Sequence, residues 1–366
     1  MSLTPDIEFI GYIATQESSE IRPATGPVID PAYVATVANA HEAAGFDRAL
    51  VAFHATNPDS IVVASQAAAA TRRLGLMIAH RPGFAAPTVA ARQLATLDHF
   101  SGGRVAVHII TGGDEVDLAR DGETLGKEDR YARTSEYLDV MRLEWSSREP
   151  FDYAGRFYSV KGARSSVRPL NPAGIPVYFG GASDAAVAVG ARHADVYALW
   201  GEDLAQAAEI TQRIRAEAGK HGRSVRFSLS FRPILAESET AAWARAEAIY
   251  AKAKALEPQG GPRQPEATNA GSQRLRAVAA KGDRVDERLW TKMATLTGGR
   301  WNSTSLVGTP RQVAQALLAY YDLGVTTFLI RGYDPLEDAL AYGRELIPLT
   351  RELVRDRSSA RVTAAA

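Results

Sequence analysis

The 366-residue sequence has no cysteine. Disulfides, thiolate metal centres and a cysteine nucleophile are therefore excluded outright. The lack of disulfides fits a reducing, cytoplasmic setting. Charge of either sign is not in excess, because 42 basic residues balance 42 acidic ones. Nucleic acid and anionic membrane surfaces are thus not expected as main partners, since both select for a basic surplus. Apolar runs are short. The Ala-rich stretch 62–70 meets Arg72 and Arg73 at once, well below the ~18 apolar residues of a membrane span. The opening MSLTPDIEFIGYIATQ lacks the basic-then-apolar pattern of a secretory signal. Also missing are HExxH, GxSxG, a P-loop and a GxGxxG in a βαβ setting. Their absence argues against the common hydrolase, dinucleotide and metalloenzyme sites, and no metal ligands are assigned.

What is present is rhythm. Hydrophobic residues make up 46% of the chain, and short apolar runs alternate with longer amphipathic ones. Strands are expected at 7–13, 49–53, 74–79, 105–110, 176–179, 196–199, 226–235 and 326–330. Helices are expected at 31–44, 59–70, 87–100, 130–145, 183–193, 204–221, 239–255 and 335–354. Near-continuous apolar strands imply parallel pairing buried on both faces. Eight strand-then-helix units predict a (β/α)8 TIM barrel, an α/β fold formed by residues 1–366 as one domain. Two insertions interrupt it, at about 151–172, where FDYAGRFYSVKG reads as a hairpin, and at about 257–304. The second opens with PQGGPRQPEATNAGSQ and is a candidate mobile lid between the seventh and eighth strands, a disordered surface excursion being the other reading. The tail from about 356 to 366 is expected to be loose.

In a barrel of this kind, chemistry sits where the strands end. Four groups fall there. The fourth strand runs into Thr111-Gly112-Gly113-Asp114. The fifth runs into Gly180-Gly181-Ala182-Ser183-Asp184, where exposed N–H groups and a helix start suit a phosphate. Arg130 and Tyr131 open a helix, in reach of phosphate oxygens by charge and hydroxyl. Finally His54, Arg81, Trp200, Arg232, Arg300 and Tyr333 follow or lie near strand ends, and Arg81, Arg232 and Arg300 form a candidate pocket for an anion. Each group has a plainer reading. A glycine pair makes an ordinary turn, Ser183 caps a helix, arginines pair with loop carboxylates, and Trp200 packs in the core.

Longer runs carry a resemblance. Arg81-Pro82, Pro87-Thr88-Val89-Ala90-Ala91-Arg92-Gln93-Leu94-Ala95-Thr96-Leu97-Asp98 and Ser101-Gly102-Gly103-Arg104 are similar to the bacterial luciferase-like flavin monooxygenases. With ITGGD, DRYARTSEYLDV, VYFGGASDAA, LWGE, HGRSVRF, SLVGTP and RGYDPLEDA in order, the chain resembles the alkanesulfonate monooxygenase family along nearly its whole length. The resemblance implies a TIM barrel that takes reduced FMN from a separate NAD(P)H-dependent flavin reductase. Oxygen activated on the flavin then breaks the C–S bond of an organosulfonate, releasing sulfite and an aldehyde. It implies flavin contacts from Thr111, Tyr131 and Ser183 and from the N–H groups of Gly181 and Ala182, to which the helix start adds Arg130 as a cofactor-binding candidate. It further implies a substrate-side tyrosine at Tyr333, a mobile-loop arginine position beside which Arg300 lies, offset by one residue, and a homodimer or homotetramer; Arg232 and His54 are catalytic candidates by their place near strand ends. Two departures stand out. His54-Ala55-Thr56-Asn57 replaces a segment that carries cysteine in the family, and Ser230 and Arg232 replace its arginine and histidine. Together with Asn302 these polar groups suggest a hydroxylated sulfonate such as sulfoquinovose. Within the superfamily, a deazaflavin F420-dependent oxidoreductase and a non-catalytic flavin-binding protein are the alternatives.

Overall fold

Eight apolar runs of four to six residues pair in parallel and close on themselves. They are β1 (Glu8–Ile13), β2 (Arg48–Val51), β3 (Gly75–His80), β4 (Val105–Ile109), β5 (Val177–Gly180), β6 (Val196–Trp200), β7 (Arg226–Phe231) and β8 (Val325–Ile330), in ring order β1-β8-β7-β6-β5-β4-β3-β2. The structure, a computed structural model, describes residues 7–257 and 267–365, with side chains to residue 360. The expected fold is therefore the observed one. Of the anticipated mobile segment, residues 258–266 lie outside the described residues. No helix among the described residues is long and apolar enough to cross a membrane.

The helices outside the barrel start where short polar side chains can cap them. Asp30, Asp59, Ser183, Asp203 and Ser238 each accept a backbone N–H from the first turn of the helix that follows. Each such cap is worth about 1 kcal/mol. The helix Pro87–Ser101 uses Pro87 at its first turn and stops at Gly102, whose φ of 73° needs glycine. Its buried face, Ala91 and Leu94 among others, packs against Tyr137, Leu138 and Met141 of the long helix Lys127–Ser146. Trp145 Nε1 donates to the Ala91 carbonyl at 2.9 Å across that contact.

Alternation decides what fills the barrel. Ile10, Met77, Ala106, Tyr178 and Val196 form a cluster in its middle, with Leu50 and Leu329 against it. Below them Glu8 accepts from Arg48 Nε at 2.6 Å, from the Tyr178 hydroxyl at 2.9 Å and from Thr327 at 3.2 Å. That network ties the strand starts together and closes the lower end. Above the cluster the same parity brings small side chains inward: Ala79, Gly180, Ala198, Ser228 and Ser230. Barrel layers are usually filled by bulky branched residues. Here Tyr12, His108, Gly180, Ala198 and Leu329 keep partial exposure although they lie inside the ring. The upper end is therefore hollow and open.

Three elements depart from the expected pattern. β7 stops at Phe231 instead of 235, because Pro233 has no N–H for the ladder. Ile234–Leu235 pairs instead with a separate strand, Ser305–Gly308, in a small four-stranded sheet. The helix Pro310–Asp322 was not anticipated, although Thr309 and Gln312 form a full capping box at its start. The last helical stretch continues to Ala365, through the tail expected to be loose, and carries a π-turn at Tyr342–Leu346. The hairpin at 151–163 is present, with Phe151–Ala154 antiparallel to Ser159–Ala163.

Candidate active site at the open end of the barrel

The strand ends bring two separate groups of side chains to the hollow end. β4 and β8 are four places apart in a ring of eight, so the groups that follow them occupy opposite walls.

On the β4–β5 wall, Thr111 is buried and donates to Thr134 at 3.3 Å, and Thr134 in turn donates to the Arg130 carbonyl. The chain leaves β5 through Gly181, whose φ of 140° disfavours any side chain. A Cβ there would lie 2.6 Å from Ala186 Cβ and 3.2 Å from the Tyr131 hydroxyl. Tyr131 hydrogen bonds to Ser183, and burial raises its pKa above the ordinary tyrosine value. Tyr197 donates to the Gly181 carbonyl at 2.8 Å and fixes the turn from below. Ser183 caps the helix Asp184–His193 and, like Gly181 and Ala182, keeps partial exposure. Tyr131, Gly181, Ala182 and Ser183 thus meet around one helix start, and Thr111 is tied through Thr134 to the helix that carries Tyr131. Arg130 faces elsewhere: its guanidinium is buried between Glu115, at 2.6 Å, and the Leu125 carbonyl, at 2.7 Å.

On the β7–β8 wall, Arg232 and Tyr333 are together but sealed. They are 1% and 0% exposed, with the guanidinium 3.6 Å from the centre of the tyrosine ring. Arg232 also bonds Glu20 at 2.6 Å and the Gly332 carbonyl at 2.9 Å. The Tyr333 hydroxyl meets Ser305 Oγ at 3.1 Å. Burial pushes the Glu20 carboxyl up, but Arg232 and Arg331 more than reverse this and hold its pKa below the ordinary value.

The remaining predicted residues sit on the rim. Arg81 is buried, with Asp117 at 2.5 Å and Asp121 at 3.0 Å, so its charge is balanced. His54 is half-exposed, 3.6 Å from Asp117 and edge-on to Trp301 at 6.3 Å between ring centres. Arg300 pairs with Asp114 at 3.2 Å. Arg81, Arg232 and Arg300 each engage a different carboxylate, so they do not form the single anion pocket expected of them. His80 is buried against the Tyr137 hydroxyl at 2.7 Å, and burial lowers its pKa to about 4.

The insertion after the seventh unit crosses this end. Arg300 reaches the β4 loop, Trp301 the β2 loop, Gly271 lies against the Trp200 ring, and Arg274 holds Glu202 at 2.7 Å beyond β6. Residues 267–304 therefore overlie the hollow from several sides. Sequence reasoning missed Tyr12, Glu20, His108 and Arg331. For Tyr12, His108 and Arg331 the signal was available: each falls on the inward parity of its strand, two residues beyond an apolar barrel position. Glu20 lies in a loop and carried no signal.

Comparison with known proteins follows this geometry. A family described as luciferase-like monooxygenase matches residues 7–327. Among solved structures, a riboflavin lyase holding modified FMN and riboflavin superposes with a TM-score of 0.76 at 19% identity, covering 95% of this chain and 92% of that one. EDTA monooxygenase from Chelativorans sp. BNC1 gives 0.75 at 20%, covering 95% and 94%. A long-chain alkane monooxygenase gives 0.75 at 16%, covering 96% and 92%. At these identities the structures speak to the fold. The family match spans all eight strands but for the end of the last, and on that match the chain belongs to the luciferase-like monooxygenase family.

Proposed function

We propose that the protein is a two-component monooxygenase that uses O2 and reduced FMN, supplied by an NAD(P)H-dependent flavin reductase, to cleave the C–S bond of an organosulfonate. The observation that carries this reading is the pair of unlike walls facing each other across one open mouth. One wall fits a flavin phosphate. Its N–H groups at 181–183 open a helix whose dipole favours an anion, hydroxyls of Tyr131 and Ser183 flank them, and a Cβ at Gly181 would fill the cradle. Between the walls the small inward residues leave room for a flat ring system, with His108 Nδ1 buried and unpartnered among the described residues. The other wall is cationic and suits a sulfonate.

Bound reduced FMN supplies the two electrons that activate O2, and the net change turns R–CH2–SO3⁻ into R–CHO and bisulfite with one water formed. The chain's own part is binding, orientation and exclusion of solvent. Segment 267–304 serves as the lid, held over the mouth by Arg300–Asp114 and Arg274–Glu202. The matching family is described as a monooxygenase, which supports an oxygenase reading; among the similar structures two are monooxygenases acting on EDTA and on long-chain alkanes and two are F420-dependent. The polar groups His54, Asn57, Ser230 and Asn302 point to a hydroxylated sulfonate. A homodimer or homotetramer in the cytoplasm accompanies this reading.

The test is a coupled assay with NADH, a flavin reductase, FMN and a panel of sulfonates that includes sulfoquinovose, reading released sulfite. Sulfite from at least one sulfonate supports the proposal. No sulfite from any of them, with reductase turnover verified, rejects the substrate class. Titration with FMN against F420 decides the cofactor separately.

A further inference from the structure

Arg331 is the first residue beyond β8. The register pairs Thr327 with Ser228 and Leu329 with Ser230, so Thr327, Leu329 and then Arg331 point into the barrel. The Arg331 guanidinium lies 4.5 Å over the Tyr12 ring, at the corresponding level of β1. The residue keeps partial exposure at the mouth, yet its Nε is sealed and has no partner among the described residues. Among the described residues the guanidinium makes a long donation, 3.4 Å, to the Ser18 carbonyl.

The charges around it do not balance. Arg232 acts on it as a like charge, and among the described residues the carboxylate that faces the pair is Glu20, which bonds Arg232. Arg81 and Arg300 have carboxylates of their own. Two guanidiniums against one carboxylate leave one positive charge in a largely desolvated wall, and such a charge is costly unless something pairs it. Burial and the Arg232 charge together pull the Arg331 pKa below the ordinary arginine value. Ser230 pairs with Leu329, two positions before Arg331, and residues 302–304 run alongside the end of β7 through the Asn302–Phe231 and Arg232–Thr304 bonds; Ser230 and Ser303 are buried and their hydroxyls have no partner among the described residues.

We propose that Arg331, with the Ser230 and Ser303 hydroxyls, forms the anion-recognition site of the mouth, and that it selects a substrate bearing a single negative charge. This deepens the organosulfonate reading and rests on it for the identity of the anion, but not for the existence of the site. Arg232 is then a positioning residue, whose charge Glu20 takes up so that Arg331 alone faces the ligand. Glu20 limits the site to a monoanion, because a second negative charge on the ligand would meet its carboxylate.

The experiment is calorimetric titration of the FMN-free and FMN-saturated protein with hexanesulfonate and with 1-hexanol. Wild type is expected to bind the sulfonate well above the alcohol. Arg331→Gln should weaken hexanesulfonate binding by about 10- to 100-fold, the worth of a charge-assisted hydrogen bond, with FMN affinity unchanged. Glu20→Gln should act in the opposite direction and tighten hexanesulfonate, which a merely structural role for these residues would not produce. Equal binding of sulfonate and alcohol by wild type, or unchanged sulfonate binding in Arg331→Gln, overturns the proposal. Where Arg331→Gln does not fold, Glu20→Gln decides: tightening supports the site and no change overturns it. Hexanesulfonate binding through Arg331 without sulfite release in the coupled assay keeps the site and removes the desulfonation reading.

Discussion

Replacing Gly181 by alanine tests the phosphate cradle most directly. The φ of 140° is one that residues with a side chain rarely adopt, and holding such a conformation costs about 1–3 kcal/mol. The new Cβ would also start 2.6 Å from Ala186 Cβ. Ala186 is fully buried in the first turn of the helix Asp184–His193, so relief requires moving the helix start or turning the 181–182 peptide. Either change misdirects the N–H groups that would meet the flavin phosphate. A loss of about 1–3 kcal/mol corresponds to roughly a 5- to 150-fold weaker Kd. The assay is quenching of flavin fluorescence on titration with protein. Gly343→Ala is the control, since its Cβ would press on Ala44, at 2.5 Å, where the last helical stretch packs on the end of the helix Pro31–Ala43. It should lower the melting temperature while leaving FMN affinity within about twofold of wild type. Equal FMN affinity in Gly181→Ala and Gly343→Ala would refute the cradle.

The other expectations concern stability, closure and packing. His41 and His80 are buried and His108 keeps only partial exposure inside the barrel, and desolvation lowers each pKa from 6.5 to about 4. The unfolded chain therefore takes up protons that the folded chain refuses between about pH 6.5 and 4. Stability is full above that window and falls as pH drops through it, by about 1 kcal/mol per ring at pH 5.5. A urea midpoint that is the same at pH 7.5 and 5.5 contradicts this. Arg300→Ala removes the ion pair between segment 267–304, the proposed lid, and the β4 loop at Asp114. Since partly exposed pairs contribute at most about 1 kcal/mol, peroxide released per O2 consumed should rise about two- to fivefold, and unchanged coupling counts against the lid. Gly11→Ala drives a Cβ into the His41 ring, whose Nδ1 donates to the Val37 carbonyl while Nε2 accepts from the Tyr12 N–H. Overpacking of this kind costs about 1–3 kcal/mol or more, read as a lower unfolding midpoint.

The barrel was legible because its strands and helices differ in period, and because Asp30, Pro87, Ser183 and Gly102 mark their boundaries in plain chemistry. The β4–β5 cluster was legible for a related reason. A glycine pair followed by Ser-Asp at a helix start restricts the backbone locally, so its partners need not be known. The arginines were read less well. Arg232 looked like a ligand-facing cation, but its environment is set by Glu20, more than two hundred residues away in the chain. Arg81 likewise met Asp117 and Asp121 through the fold. Residue type announces a charge, whereas its neutralisation is a tertiary fact. Arg331 escaped notice because its meaning lies in strand parity and in the lack of a second carboxylate. The helix Pro310–Asp322 was overlooked although Thr309 and Gln312 cap it within four residues.

The Glu8–Arg48–Tyr178–Thr327 network makes the barrel a cup with a fixed floor. With that end tied together, flavin, O2 and substrate would, on the proposed function, share a single doorway at the other. A spent molecule lingering at the threshold would hold back the next delivery, so the order of traffic at the rim would bear on the rate as much as the bond being broken.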